Sequence, residues 1–450
     1  MTSEALTSET FLIGAMAGCQ GSEPVTAAYV HIPFCRRRCY YCDFAITVLG
    51  DRLRGEASGT VRQYLTVLAQ EISLTPNRGQ ALDTVFLGGG TPSLLSVAQV
   101  EAILTALDRQ FGIAATAEIS MEIDPGTFDL AQLRGYRSLG VNRFSLGVQA
   151  FQDELLAACG RTHRVVDVRQ AIADLERAGI ENFSLDLISG LPGQTREHWQ
   201  ASLAQAIACR PAHLSTYDLT LEAGTVFGRR YQPGEAPLPS DTLTADLYRL
   251  AQRTLTAAGY EHYEISNYAR SGYQCRHNRV YWENRPFYGF GMGAASYLDG
   301  DRVTRPRTTT AYYAWVNALT APPPTSLKAS AQPGSTQPGL TWLPDDSRAT
   351  ARLRDRPLAA QPLTDRLLDT LMLGLRLREG LHVETLRQHY GTLAVTKILE
   401  GLQAFQARGW VELAPIASEP QTIRLTDPEG FLFSNVILTH LFHQLDTEAA

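Results

Sequence analysis

A largely parallel α/β sheet that curls into a full or partial barrel is the fold this sequence predicts. Two observations carry the prediction. Strand-like stretches at residues 27–32, 84–87, 118–123, 141–147, 182–188 and 213–219 alternate with stretches of helical period. Serial β–α units imply parallel strands covered by helices, and right-handed crossovers curl such a sheet. Polar residues also sit at or just past the strand ends, where α/β proteins of either kind place their binding sites. An open doubly wound sheet satisfies both observations, and periodicity does not separate the two.

The elements follow in order. After the first strand, Tyr64, Leu65, Leu68 and Ile72 recur at three- and four-residue steps, as one face of a helix requires. Val100, Ile103, Leu104 and Leu107 repeat the pattern after the second strand. A further helix is expected over 242–258, with Leu243, Leu247, Leu250 and Ala251 on one stripe. Residues 322–346 are rich in Pro, Ser, Thr, Ala and Gly and read as a flexible insertion or linker. A mainly helical module follows. Its first helix, 365–377, carries Leu367, Leu368, Leu371 and Leu375; a helical stretch at 402–407 precedes short strands at 410–413 and 422–425. Helices followed by a small hairpin suggest a winged-helix-like module. The expected organisation is a tail at 1–25, a core barrel at 26–300, a Pro-rich insertion at 301–362 and a C-terminal helical domain at 363–450.

Composition narrows the class. Hydrophobic residues make up 44% and charged residues 19%, which fits a soluble globular chain. A net charge of -6 does not favour a general nucleic-acid surface. No run approaches a membrane span, and the N-terminus lacks the basic segment of a signal peptide. The seven cysteines are odd in number and three are crowded together, so a reducing cytoplasm is expected rather than a secreted disulfide framework.

The crowded cysteines, Cys35, Cys39 and Cys42, have the spacing C-x3-C-x2-C. Three thiolates can hold three irons of a four-iron cluster and leave the fourth iron open to a small molecule. Zinc is the competing reading, since His31 lies four residues before Cys35 and would complete a Cys3His set. Zinc ligands usually come as two separated pairs, whereas these three share one tight loop. Arg36, Arg37 and Arg38 could offset cluster charge or form an ordinary basic turn. Phe34, Tyr40, Tyr41 and Phe44 could shield the cluster or belong to the core.

Other residues could hold the ligand of the open iron. Gly88, Gly89 and Gly90 let backbone approach a ligand closely, and Thr91 can cap the next helix with Pro92 at its first position. A tight turn without a ligand would look the same. Glu122 and Asp124 end a strand and can accept from an amine or ribose hydroxyls. Gln149 can donate and accept, Arg161 can pair with a ligand carboxylate, and Asp186 can accept from ribose. Singly each reads equally as a structural polar residue; their repetition at successive strand ends makes the set informative.

Together these residues resemble the radical S-adenosylmethionine superfamily, through the C-x3-C-x2-C loop after one strand and the Gly-Gly-Gly-Thr-Pro turn after the next. Within it, the stretch from Tyr29 through Cys35 to Phe44 looks like the HemN/HemW group. So do Glu122 to Pro125, Ser145 to Gln149 and Asp186 to Thr195. The resemblance implies a (β/α)6 partial barrel of TIM type and a [4Fe-4S] cluster on Cys35, Cys39 and Cys42, with S-adenosylmethionine on the open iron. It implies Tyr29 beside the methionyl part, Gly89, Gly90 and Thr91 at its amino group, and Glu122, Gln149, Arg161 and Asp186 on the remaining polar groups.

Two members of the group differ in function. Coproporphyrinogen dehydrogenases of the HemN type carry a fourth cysteine two residues after the third, where this chain has Phe44. HemW-type haem chaperones carry HN-x-x-YW, present here as His277-Asn278-Arg279-Val280-Tyr281-Trp282. The resemblance therefore implies a haem-binding, haem-delivering protein, with anaerobic coproporphyrinogen III oxidation as the alternative. A neutral imidazole can ligate haem iron. His277 or Cys275 is thus a candidate axial ligand, while Tyr281 and Trp282 could stack on a porphyrin. A packed loop with an ordinary histidine hydrogen bond is the other reading. The implied partners are haem and recipient haemoproteins, including membrane respiratory proteins, with peripheral membrane association and a dimer both compatible with the sequence. The cluster could serve to bind or gate as much as to make radicals.

Overall fold

The computed structural model describes residues 24–50, 55–320, 363–416 and 419–446. The Pro-rich stretch 322–346 lies outside these residues, as does the tail at 1–25 apart from Pro24 and Val25.

Six β–α units run in series. The strands are β1 (Ala27–Ile32), β2 (Leu82–Gly89), β3 (Ile113–Ile123), β4 (Arg143–Gln149), β5 (Phe183–Ser189) and β6 (His213–Asp218). The main helices after them are α1 (Gly59–Leu74), α2 (Val97–Phe111), α3 (Leu130–Ser138), α4 (Val165–Arg177), α5 (Arg196–Ala208) and α6 (Asp241–Ala257). Each strand buries apolar residues such as Val85, Met121, Leu146 and Leu185 beneath the helices and turns alternate residues, among them Ser120, Arg143, Ser145 and Asp186, toward the barrel interior. The predicted stripes are the ones buried: Tyr64, Leu68 and Ile72 of α1, and Val100, Ile103, Leu104 and Leu107 of α2. Local chemistry sets the helix starts. Ser58 accepts from the Val61 amide at the start of α1, and Ser96 with Gln99 forms a capping box at α2.

Beyond β6 an antiparallel hairpin, β7 (Glu261–Glu264) and β8 (Asn267–Ala269), extends the sheet. A short helix, α7 (Arg276–Trp282), then leads to β9 (Tyr288–Phe290), which pairs parallel with β1 at the opposite edge. The order is β9-β1-β2-β3-β4-β5-β6-β8-β7, with seven parallel strands and the hairpin. The edge strands β9 and β7 do not pair with each other, so the sheet curls into a partial TIM-like barrel rather than a closed one.

Residues 301–320 correct the expected start of the flexible insertion at 301. Asp301–Thr304 pairs antiparallel with Ala295–Leu298, and α8 (Thr309–Thr320) buries Tyr312, Trp315, Val316 and Leu319. The reason is an ion pair that sequence pattern does not show. Arg305 Nε lies 2.8 Å from Glu71 of α1, both side chains being fully buried, and the Tyr312 hydroxyl donates to the same carboxylate at 2.7 Å.

The C-terminal module has its own apolar core. It comprises α9 (Leu363–Gly374), β10 (Leu381–His382), α10 (Val383–Tyr390), α11 (Thr392–Ala407), β11 (Val411–Ile416), β12 (Glu419–Leu425) and α12 (Ser434–Asp446). Leu371, Leu375, Ile398, Leu402, Ile423 and Ile437 pack together beside an antiparallel sheet of order β10-β12-β11. Arg376 reaches Glu264 of β7 at 3.0 Å, and Arg279 of α7 reaches Glu379 at 2.9 Å, tying module to barrel. No described helix is long and apolar enough to cross a membrane.

Candidate functional site

The connection from β1 to α1 carries the three cysteines. A two-residue parallel pairing, Phe34 with Thr47 and Cys35 with Val48, closes this loop on itself. The amides of Gly90 and Thr91 donate to the carbonyls of Ile32 (2.9 Å) and Phe34 (2.7 Å), so the glycine turn after β2 is fastened to the root of the cysteine loop. A cavity of about 530 Å³ opens at the C-terminal ends of the strands. Cys35, Cys39 and Cys42 line it together with Gly89, Gly90, Thr91, Glu122, Gln149, Arg161 and Asp186. The seven residues expected to surround a small polar ligand from β2, β3, β4, β5 and their loops thus share one mouth with the thiols.

Two expected site residues lie elsewhere. Tyr29 lines a second, smaller chamber of about 190 Å³ deeper in the barrel, where its hydroxyl lies 2.9 Å from His31 Nδ1. His277 lines the same chamber. It is fully buried, with Nδ1 2.8 Å from the Thr84 hydroxyl, Nε2 2.8 Å from the Tyr281 hydroxyl, and its ring stacked on Phe86. Both ring nitrogens are therefore engaged, and neither is free for an iron in this conformation. Glu118 explains the placement: its carboxylate accepts from the amides of Arg276 (3.1 Å) and His277 (3.0 Å) at the start of α7. Cys275, the other candidate ligand, is buried beside Glu118, and burial pushes its thiol up to about 12.

The zinc reading loses its fourth ligand. His31 Nε2 lies 2.8 Å from the Ala45 carbonyl while Nδ1 faces Tyr29, so the imidazole is held between two partners. Among the described residues, no three histidine, cysteine, aspartate or glutamate side chains gather closely enough to hold a single metal ion. Three thiols outside any disulfide, spread around one cavity, instead match the donor chemistry of a larger cluster.

The electrostatics at the mouth are built from burial. Cys35 is pushed up to about 12 and Cys42 is raised, in each case chiefly by desolvation of the thiolate. Thr91 opposes this at Cys35, its hydroxyl lying 3.7 Å from the sulfur. That hydroxyl also donates to Asp124 at 3.2 Å. Thr91 is the N-cap of the short 3-10 turn Pro92–Leu94, with Pro92 at its first position as expected, but its side chain makes no capping bond. Ser96 performs that task five residues later.

Arg161 sits with Nη2 2.5 Å from Asp124 and Nη1 3.5 Å from the Cys39 sulfur. Its side chain is 8% exposed, and Nε is buried without a hydrogen-bond partner among the described residues. Arg161 thus balances a carboxylate at the cavity wall and offers one unused donor.

Glu122 accepts from the Gly89 amide at 2.8 Å. Burial outweighs that bond and, with Asp186 and Asp124 nearby, raises the carboxyl to about 8. Asp186 receives both oxygen bonds from Ser145 (3.0 and 2.8 Å) and one from Ser184 (3.2 Å), yet burial still raises it. Gln149 ends β4 in the left-handed region, with φ of 67°, an uncommon conformation for a side chain of this size. Such backbone often persists where the surrounding structure holds a residue to a ligand.

Ser145 and Ser184 were not among the sequence candidates. They alternate with apolar neighbours on β4 and β5, and inward polar residues in otherwise apolar strands were the available signal.

Comparison with known proteins adds to this geometry. Residues 29–206 match the model of the Radical SAM superfamily, and residues 361–432 match that of the HemN C-terminal domain. The chain is 48% identical over 434 residues to a protein of Synechocystis sp. named Heme chaperone HemW, covering 94% of this chain and 98% of that one. It is 40% identical over 273 residues to the Escherichia coli Heme chaperone HemW, covering 60% and 70% of the two. Among solved structures, coproporphyrinogen III oxidase (HemN) from Escherichia coli, described as a radical SAM enzyme, superimposes with a TM-score of 0.70. It shares 22% identity and covers 94% of this chain and 91% of its own, a likeness of fold.

Proposed function

Since the chain belongs to the HemW family of the radical SAM superfamily, we propose that it binds haem alongside a [4Fe-4S] cluster and S-adenosylmethionine, and delivers the haem to recipient haemoproteins. The single observation that carries this reading is the 48% identity to a Heme chaperone HemW along 98% of that protein's length. Phe44 supports it: two residues after Cys42, where a fourth cysteine marks the coproporphyrinogen enzymes, this chain presents an apolar ring that is 60% exposed.

In this reading Cys35, Cys39 and Cys42 hold the cluster. Reduced and bearing S-adenosylmethionine, such a cluster can supply an electron to the cofactor's sulfonium. The protein's part is placement. Gly89, Gly90 and Thr91 bring backbone to the amino acid end of the cofactor, with Glu122 ionising to meet its cationic charge. Asp186, held by two serine hydroxyls, faces the same cavity from β5 and suits ribose hydroxyls. Gln149 reaches in from β4. The Asp124–Arg161 pair keeps a cation against the Cys39 sulfur. Tyr29 acts one step back, orienting His31 beneath the glycine turn. Haem recipients in a respiratory membrane, and a dimeric state, are further parts of this proposal that rest on the resemblance.

A paired assay tests it. After anaerobic reconstitution with iron and sulfide, the protein should take up haemin with a saturable Soret change and pass it to an apo-haemoprotein. In parallel, coproporphyrinogen III with S-adenosylmethionine and a reductant should give no protoporphyrinogen. Conversion of coproporphyrinogen without haem uptake would overturn the proposal.

A further inference from the structure

The mouth of the barrel is already allotted to the cluster and S-adenosylmethionine, and its volume is about 530 Å³. The inner chamber that holds His277 is only about 190 Å³, below the roughly 300–1,000 Å³ typical of ligand pockets. A bound macrocycle therefore needs a third place. One exists where the C-terminal module meets the barrel: a groove of about 1100 Å³ between α9 and α10 on one side and the loops flanking β9 on the other.

Its chemistry suits one class of ligand, a flat apolar metal macrocycle with acidic substituents. Leu381 and Leu386 supply apolar wall, and Tyr297 and Tyr390 add aromatic faces from the two sides. His382 and His389 both line the groove. His382 ends β10 and is the N-cap of α10, and His389 lies in the last turn of α10, seven residues on. Both are exposed, and neither ring donates or accepts a hydrogen bond among the described residues, in contrast to His277. An unengaged imidazole is what iron ligation requires. Arg366 also lines the groove and has no carboxylate partner among the described residues, so a carboxylate arriving there meets an available fork.

We propose that this groove between barrel and C-terminal module is the haem site, with one imidazole, His382 at the N-cap of α10 or His389 in its last turn, on the iron and Arg366 on a propionate. The inference rests on the haem-binding reading above and specifies where that binding occurs.

Haemin titration of the full chain tests it, with the Soret band and the low-spin electron paramagnetic resonance signal as readouts. The His382→Ala/His389→Ala double variant should lose the histidine-ligated low-spin signal and weaken binding at least tenfold. The single variants show which imidazole binds iron. Arg366→Glu should weaken binding severalfold while leaving the Soret position unchanged. All three positions are exposed, so circular dichroism should match the parent protein. Parent-like haemin affinity and spectrum in the double variant would overturn the groove as the site while leaving haem binding intact. Absence of saturable uptake by the parent chain would overturn both readings.

Discussion

Arg161 and Asp124 meet at 2.5 Å at the wall of the cavity that the three cysteines share. Neither is an ordinary surface charge: the side chains are 8% and 25% exposed. The same guanidinium touches the Cys39 sulfur, the Gly147 carbonyl and His163 Nδ1, while Asp124 also accepts from Thr91. One pair thus links the cysteine loop, the glycine turn and the ends of β3 and β4. Burying charges costs free energy that only good pairing offsets, so removing one partner leaves the other uncompensated. Arg161→Ala should cost about 3 kcal/mol of stability, read by urea denaturation of the cluster-free protein. Asp124→Asn with Arg161→Gln should cost less than the two single changes summed. Additive costs would show that the pair is not coupled.

Glu122 sets a pH dependence at the same mouth. Burial first, then the neighbouring carboxylates, hold it protonated up to about pH 8 in the free protein. S-adenosylmethionine is cationic at its sulfonium and favours the ionised carboxylate. Binding below pH 8 therefore expels a proton, and affinity should climb with pH until about 8 and then level. Isothermal titration in buffers of different ionisation enthalpy measures the proton directly. Glu122→Gln should flatten the pH profile and abolish the proton release. The free protein carries the opposite trend: a carboxyl raised on folding contributes stability below its unfolded value, lost as pH rises through about 8.

Gly89 cannot accept a side chain. Its φ is +110°, and a Cβ placed there would collide with the imidazole of His31, itself fixed by Tyr29 and the Ala45 carbonyl. Gly89→Ala should destabilise by about 2 kcal/mol or more. Gly193→Ala separates collision from strain, since Gly193 has φ of +75° with nothing within 4 Å of an added Cβ. It should cost only about 1 kcal/mol. Equal thermal shifts for the two variants would contradict the packing account of the glycine turn.

The barrel was legible because its signals are local. Apolar periodicity along 84–87 and 100–107 depends on neighbours in sequence, and the structure keeps both elements. The mouth was legible because strand ends in this architecture all point one way, which places Glu122, Gln149 and Asp186 beside Cys35 once the strands are in register. What escaped the sequence depends on distant partners. Glu71 and Arg305 lie more than two hundred residues apart, and nothing near Arg305 shows that a helix will follow and pack on α1. The hydroxyl of Thr91 had two possible duties, and only the approach of Asp124 and Cys35 decides between them.

His277 is the sharpest case, because a histidine in a motif invites a ligand role that its surroundings oppose. The residue is locked between Thr84 and Tyr281, stacked on Phe86, and neutral: burial drives its imidazole down to about 3. Its work is to anchor α7 against β2. His277→Ala should remove two buried hydrogen bonds and leave a cavity, destabilising the protein by about 3 kcal/mol. Haemin bound by the folded fraction should keep its Soret maximum. The pH trend follows from the depressed value. The unfolded chain protonates this imidazole below about pH 6.5 while the folded chain does not, so the unfolded state binds more protons. Stability then falls as pH drops from about 6.5 towards 3. His277→Gln keeps hydrogen-bonding capacity without titrating in this range, and should show a shallower loss over that window. A Soret shift in His277→Ala, or an unchanged pH slope in His277→Gln, would restore the imidazole as a reactive group rather than an anchor.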